Sequence, residues 1–546
     1  MPVIDKLTGA TGLSGLHLLL GAIGVFTILY IIGSAIYNVF FHPLASYPGP
    51  LIQRASYLPV GIRLALGTHT FHTQALHDKY GPVVRISPNH LSFTDVRAWK
   101  EIYGHIAGSR SGTEEMGKFL YLNHPVDEQA HHIISANREQ HTELRRALAN
   151  SFSEASMRGQ GPLIGRYIDL LIHKLHEQGE EGRVPLNANN WFNCTTFDIT
   201  GDLIFGMPFG ALEGNGKHPW LDYILGTLKS IAPLQALNYV GLHWVVEVMW
   251  KMAGAEGFRK SMESVDLMLK ERLKMPVDRN DLFEGLVQRQ EKLGLSFDEL
   301  SANAWVLVIA GSDTTATTLT GVTYLLTQNP EVLKRVTQEV RAAFKSVDEI
   351  DIISVNKLTY MLAVLNETLR LYPPVASNLA RVVPREGAKV LGEYIPEGTV
   401  LEVQSWAMNH SKENWVDPWA FNPARFLDDK ETAREKGNML DALQAFSTGP
   451  RNCIGRNLAY AEMRWILARI LFEFDLRGAS TAAKWIERQK SYGLWERVPL
   501  DVYFEPVKEK SQLPRLQKCA MGETAIIVCP ATSEREGREG DTQVFE

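Results

Sequence analysis

Apolar residues recur at i, i+3, i+4 and i+7 through most of the chain between about Leu64 and Phe474. That spacing lines one face of an α-helix. It predicts a helical stretch near Tyr167 and further helices over 297–327, from Pro330 onward and over 456–472. Alternation of the strand kind is confined to short pieces at 83–86, 91–93, 390–394, 400–404 and 498–504. The pattern therefore predicts a mainly α protein with a small β portion. No internal repeat or low-complexity block interrupts it.

The first fifty residues follow a different rule. Between Lys6 and Arg54 there is no Asp, Glu, Lys or Arg. Residues 13–37 of that gap are mostly Leu, Ile, Gly, Ala and Val, and as a helix they would span about 37 Å, enough to cross a ~30 Å hydrocarbon core with tilt. The apolar core of a secretory signal is shorter, roughly 7–15 residues, so the segment reads as a retained anchor. Tyr37, Phe40 and Phe41 suit an aromatic belt at the membrane exit. Lys6 on one side and Arg54 with Arg63 on the other fix its orientation poorly. The stretch His42-Pro43-Leu44-Ala45-Ser46-Tyr47-Pro48-Gly49-Pro50 cannot continue a helix and reads as a stiff, extended linker holding a soluble body off the bilayer. The expected division is a short segment 1–12, an anchor 13–37, a linker 38–50, a main domain 51–508 and a tail 509–546. The tail, with five basic and six acidic residues from Lys510 onward, is expected to be mobile.

Composition narrows the classes. With 45% hydrophobic and 22% charged residues, the 546-residue chain is globular and not disordered. Its net charge of −6 argues against nucleic acid as the main partner, which would call for a basic face. Four cysteines, Cys194, Cys453, Cys519 and Cys529, are too few for a disulfide framework in so long a chain, which points to a reducing compartment.

One of those cysteines stands in the strongest motif, Phe446-Ser447-Thr448-Gly449-Pro450-Arg451-Asn452-Cys453-Ile454-Gly455, directly ahead of a predicted helix. Its glycines let the backbone turn tightly and approach a flat ligand. The unpaired N–H groups and dipole at the helix start favour a thiolate at Cys453, and a thiolate is an axial ligand for haem iron. Two further motifs lie upstream. Glu367 and Arg370 share a helix face ended by Pro373 and Pro374, and Pro423-Ala424-Arg425-Phe426 follows later. Ala310-Gly311-Ser312-Asp313-Thr314-Thr315 places polar residues inside an apolar helix that Ser296 and Glu299 open with a capping box. Gly311 there permits a local distortion.

The Cys453 loop resembles the haem-binding signature of the cytochrome P450 superfamily, and the resemblance extends over about residues 42–508. It implies the cytochrome P450 fold behind a transmembrane helix, haem b as cofactor, Cys453 as the iron ligand, and Phe446 and Gly455 beside the haem. By the same resemblance Arg451, His141, Arg145 and Arg381 bind the propionates. Glu367, Arg370 and Arg425 form a buried structural triad, and Asp313 and Thr314 are the acid–alcohol pair that delivers protons to oxygen. Ala310, Ala376, Ser377, Asn378, Leu379, Tyr492 and Leu494 would line a mixed apolar pocket. Residues 42–50, 76–88 and 452–464 are similar to those of fungal microsomal members of the isotrichodermin hydroxylase, averantin hydroxylase and benzoate 4-monooxygenase type.

The expected activity is insertion of one atom of O2 into an apolar terpenoid, polyketide or alkaloid scaffold. Electrons would come from NADPH through a separate NADPH–cytochrome P450 reductase, with cytochrome b5 as a second donor. Arg138, Arg146, Arg456 and Arg464 are candidates for a basic docking face. Two rivals stand beside this: oxidative coupling, desaturation or rearrangement without net oxygen insertion, and a non-catalytic haem-binding protein. The expected location is the endoplasmic reticulum membrane with the catalytic body in the cytosol. Three glycosylation sequons, at Asn193, Asn366 and Asn409, would then remain unmodified.

Overall fold

The Ser296 side chain accepts a hydrogen bond from the Glu299 N–H, and the Glu299 carboxylate accepts one from the Ser296 N–H. This reciprocal cap starts the central helix Phe297–Gln328, 32 residues without a break. The computed structural model describes residues 15–105, 115–119, 130–214, 219–253, 256–276, 279–377 and 379–507. Pocket residue Asn378, the segment 1–12 and the tail 509–546 lie outside them.

The central helix is buried along most of its length, its buried threonines returning their hydroxyls to the carbonyls one turn back. Its main neighbour is the equally buried helix Ala188–Phe205. Gly311 brings the two together, since a Cβ there would lie 3.0 Å from the Thr200 methyl carbon. The helix runs on through Gly311, and the missing side chain there serves close packing. Helices Thr359–Leu371 and Arg456–Glu473 pack on the same helix, and Glu154–Gln178 flanks both Ala188–Phe205 and Arg456–Glu473.

Beside the helices lies a five-stranded sheet in the order Val83–Ser87, His90–Phe93, Val400–Val403, Arg381–Val382 and Gly117–Lys118. His90–Phe93 runs parallel to Val400–Val403, and the other pairs are antiparallel. A three-stranded sheet joins Leu186–Asn187, Asp501–Pro506 and Phe474–Gly478, and two hairpins complete the β portion.

The helix Gly15–Phe40 stands apart. Its span Leu19–Phe40 has a mean hydropathy of 2.2 and none of it is buried, the composition and exposure of a membrane anchor. The helix runs past Tyr37, and its end is tied to the body. Arg54 donates to the Val39 and Ala45 carbonyls at 3.0 and 2.7 Å, and Asn38 donates to the Ala55 carbonyl at 3.1 Å. The linker is turned and packed where an extended strut was expected. Leu44 is fully buried, the Arg85 N–H donates to the Pro48 carbonyl at 2.7 Å, and a Cβ on Gly49 would lie 2.2 Å from the Arg85 carbonyl oxygen.

The three sequons lie in or beside the folded core. Asn193 and Asn409 are buried, and the Asn366 side-chain oxygen accepts from the Tyr460 hydroxyl at 2.7 Å.

The buried Glu367 carboxylate accepts from Arg370 at 2.8 and 2.9 Å, from Arg425 at 3.3 Å and from the Asn422 N–H at 2.9 Å. Arg370 also donates to the Asn409, Pro418 and Ala420 carbonyls. Arg425 reaches the Val416 and Asp417 carbonyls and Asn438. These bonds pin the segment leading into the cysteine loop. Removing one partner leaves a buried charge unpaired, so Arg370→Met should cost about 3–5 kcal/mol. Denaturant unfolding against the parent protein checks this, and a loss under about 1 kcal/mol, typical of an exposed pair, would contradict it.

Candidate functional site

The loop 446–455 folds back on itself. The Cys453 N–H donates to the Phe446 carbonyl at 2.9 Å, and Ser447 and Gly449 take left-handed φ values of 58° and 76°. Gly449 is required twice over, because a Cβ there would also lie 2.0 Å from the Tyr103 carbonyl oxygen. Gly455 is not needed for the turn. Its φ is −81°, and an added Cβ would meet Phe152 and the Cys453 sulfur at ordinary contact distances. Phe446 packs at a tilt against Tyr460, with ring centroids 5.1 Å apart.

Cys453 precedes helix Arg456–Glu473 by two residues and remains exposed, whereas Cys194 is buried. The helix start alone does not make Cys453 a thiolate. Protein packed around the thiol pushes it above its ordinary pKa, and the Gly455 N–H, Arg145 and Arg456 only partly oppose this. Coordination to a metal deprotonates a thiol outright.

A second open surface lies on the central helix. Ala310 is exposed and Gly311 and Thr314 are half-buried, although residues 306–309, 312–313 and 315–323 are buried. The Thr314 hydroxyl donates to the Ala310 carbonyl at 2.7 Å. Asp313, next to it, is buried and paired with Arg497. Burial raises its pKa and Arg497 opposes that. It therefore does not reach outward to solvent, as its expected role would suggest. Arg497 carries no motif and was not found from the sequence.

The expected propionate ligands share a strongly positive neighbourhood. Arg451 donates to Glu115 at 2.5 Å and to the Ala136 carbonyl at 2.9 Å. Arg145 holds the Asn452 carbonyl and side-chain oxygen, each at 2.5 Å. Arg381 is buried, with its guanidinium 5.4 Å from the Tyr103 ring centre and Nη1 without a hydrogen-bond partner among the described residues. His141 is held near pKa 3 by burial and by the charges of Arg451, Lys118, Arg145 and Arg381, so it is neutral at physiological pH.

Lys118 joins this group unforeseen. It faces Arg381 directly across the antiparallel ladder, and its pKa is driven well below the usual lysine value by burial and by Arg381 and Arg451. Like charges directly opposed destabilise a sheet. A ligand with two carboxylates would relieve that repulsion and meet the free Arg381 nitrogen. An exposed sulfur, an open strip of helix and this cation cluster together fit an iron porphyrin with two propionates.

The remaining candidates divide. Arg456 and Arg464 line one cleft beside Phe446 and Ser447, of about 710 Å³, whereas Arg138 and Arg146 line another with Glu139 and Glu143. Ser377, Leu379, Tyr492 and Leu494 are half-buried. Ala376 is fully buried, its carbonyl accepting from the Trp406 N–H at 2.9 Å, so its side chain offers no open surface.

Comparison with known proteins places these features in context. The family model "Cytochrome P450" matches residues 56–501. A cytochrome P450 monooxygenase of Talaromyces stipitatus is 44% identical over 482 residues, covering 88% of this chain and 94% of its own length. A trichothecene C-15 hydroxylase of Fusarium sporotrichioides is 39% identical, covering 87% of this chain and 96% of its own length. An averantin hydroxylase of Dothistroma septosporum is also 39% identical, covering 88% and 90% respectively.

If Lys118 and Arg381 serve a dianion, Arg381→Met should speed transfer of haem to a scavenger protein by about 10- to 100-fold, the loss expected for a charged hydrogen bond worth about 1.5–3 kcal/mol. The same variant should leave the apoprotein as stable as before or more so, since one of two facing cations is gone. Unchanged haem transfer would contradict the assignment.

Proposed function

The chain belongs to the cytochrome P450 family, and from that premise we propose that it inserts one atom of O2 into an apolar secondary-metabolite scaffold, drawing electrons from NADPH through a separate reductase. The protein is a haem-thiolate monooxygenase with haem b as cofactor. Bound haem supplies the oxygen chemistry. The chain's own residues hold it and manage protons and water around it.

The observation that carries the reading is the cysteine loop. Cys453 is presented as an exposed residue at the head of helix Arg456–Glu473, and the bonds of Glu367, Arg370 and Arg425 fix the segment behind it. Cys453 is the proposed iron ligand. His141, Arg145, Lys118, Arg381 and Arg451 would hold the propionate edge. Ala310 and Thr314 form the open strip of the central helix and would face the substrate.

Reducing the second oxygen atom to water consumes protons. The Thr314 hydroxyl both donates and accepts, and the adjacent Asp313 carboxylate can be recharged. Together they would pass protons inward without flooding the pocket. The substrate is proposed as an apolar scaffold because Leu379, Leu494 and Ala310 contribute most of the candidate lining, with Ser377 and Tyr492 as hydrogen-bonding points. The names of the trichothecene and averantin hydroxylases support hydroxylation of such scaffolds.

The helix Gly15–Phe40 is proposed to anchor the protein in the endoplasmic reticulum with the body in the cytosol. The reductase, with cytochrome b5 as a second donor, would meet the basic cleft formed by Arg456 and Arg464.

Two measurements test this. Product formed with reductase, NADPH and isotope-labelled O2 should carry one labelled oxygen atom. Product without label would favour the coupling or desaturation reading. Thr314→Ala should bind substrate and accept electrons as the parent does, yet release more peroxide per product. Coupling of NADPH to product equal to the parent's would remove Thr314 from proton supply.

A further inference from the structure

The Asp313 carboxylate sits in a wholly buried arrangement that the motif around it does not announce. Its partner Arg497, on the chain just after strand Leu494–Glu496, has a side chain only 2% exposed, and Asp313 itself is 4% exposed. The same guanidinium nitrogen that meets Asp313 also donates to the Asn193 side-chain oxygen at 2.7 Å. Asn193 in turn donates to the Asn189 side-chain oxygen at 3.5 Å. Asn189 is half-buried in the first turn of helix Ala188–Phe205. A line of polar side chains thus runs from Asp313 to the outside of the protein, on the flank where helix Ala188–Phe205 packs against the central helix.

Two atoms on that line lack partners. Neither Asp313 Oδ2 nor Arg497 Nη1 makes a hydrogen bond among the described residues. Leaving a charged donor and a charged acceptor unmet in a buried pair is costly, and one small molecule that both donates and accepts would satisfy both. Water is that molecule. A guanidinium does not give up its proton, so Arg497 cannot be a link in a proton chain. It can hold the carboxylate in one place and in its charged form while water passes beside it. Among the described residues, Tyr372 also lies close to the pair, and its hydroxyl is committed to Gln489.

We propose that Arg497, held by Asn193, is the positioning residue for Asp313, and that protons enter by water from the Asn189 end of this line. The proton moves from water to the Asp313 carboxylate and from there toward the Thr314 hydroxyl. The carboxylate is then recharged from the same side, with no net change in the pair. This inference rests on the proton-supply reading given above.

The test uses the full-length holoenzyme with Arg497→Gln, Arg497→Lys, Asn193→Leu and Asp313→Asn. The first readout is the infrared band of a protonated carboxylic acid at pH 7, which does not depend on turnover. With Arg497→Gln, Asp313 has no counter-charge and should take up a proton, so the band should appear. Buried Glu462, pushed up to about 8, is protonated at pH 7 and gives its own band in every form, so the Asp313 band is read by difference. It should be missing from the parent and from Arg497→Lys, and missing again when Arg497→Gln is combined with Asp313→Asn. That double variant also shows whether the fold survives loss of the pair.

The second readout is turnover with its solvent deuterium isotope effect. Arg497→Gln should slow turnover on the order of 100-fold with a larger isotope effect, Arg497→Lys should restore most of it, and Asn193→Leu should raise the isotope effect without producing the band. If Asp313→Asn turns over like the parent, the proton-supply reading itself fails. If Asp313→Asn is slow but Arg497→Gln shows neither the band nor a changed isotope effect, the role of Arg497 is overturned. An isotope effect in Asn193→Leu equal to the parent's would place the inlet elsewhere.

Discussion

Glu367 carries its charge where no water reaches it, so protein must meet its oxygens: Arg370 at 2.8 and 2.9 Å, Arg425 at 3.3 Å, and the Asn422 N–H at 2.9 Å. Each arginine then spends its remaining donors on backbone carbonyls between residues 409 and 420. The planar, permanently charged guanidinium is what allows one side chain to bind a carboxylate and several carbonyls together. A stretch with little regular secondary structure is thereby held as firmly as a helix. The chain leaves it at Asn438, itself bound to Arg425 at 2.7 Å, and enters the cysteine loop a few residues later. Where Cys453 stands therefore follows from where Glu367 is buried.

On the other side of that loop the structure concentrates like charges. Lys118 and Arg381 oppose each other across a two-residue ladder, and Arg451 and Arg145 lie close enough, with them, to hold His141 neutral. Glu115 compensates Arg451. A fold selected for its own stability alone would not place these cations together. A dianionic cofactor would turn that repulsion into binding energy, which would couple haem binding to local stability there. The thiol shows the same economy in reverse. Desolvation raises its pKa, and binding a metal would make it the thiolate.

The fold was legible wherever periodicity was strong. The capping box, the helix after the cysteine loop and the helix bearing Glu367 all appear within a residue or two of where apolar spacing and prolines place them. Strands of two or three residues, such as Gly117–Lys118 and Arg381–Val382, left no alternation to read, and Lys118 was missed with them. The linker was misjudged because proline and glycine content reveals where a helix stops but not that Leu44 would find a core to enter. Gly311 reads from the sequence only as a place where the helix could distort, because the sequence does not show that Thr200 presses on it. Arg497 lies 184 residues from Asp313, and no local pattern joins them.

The central claim is that Cys453 alone supplies the iron ligand, and the absorption spectrum of the reduced, carbon monoxide-bound protein tests it most directly. The account predicts the strongly red-shifted band of a thiolate-ligated haem in the parent and in Cys194→Ser, Cys519→Ser and Cys529→Ser. In Cys453→Ser that band should be lost while the secondary structure by circular dichroism is kept. A folded Cys453→Ser protein that still shows the red-shifted band would contradict the account at its foundation.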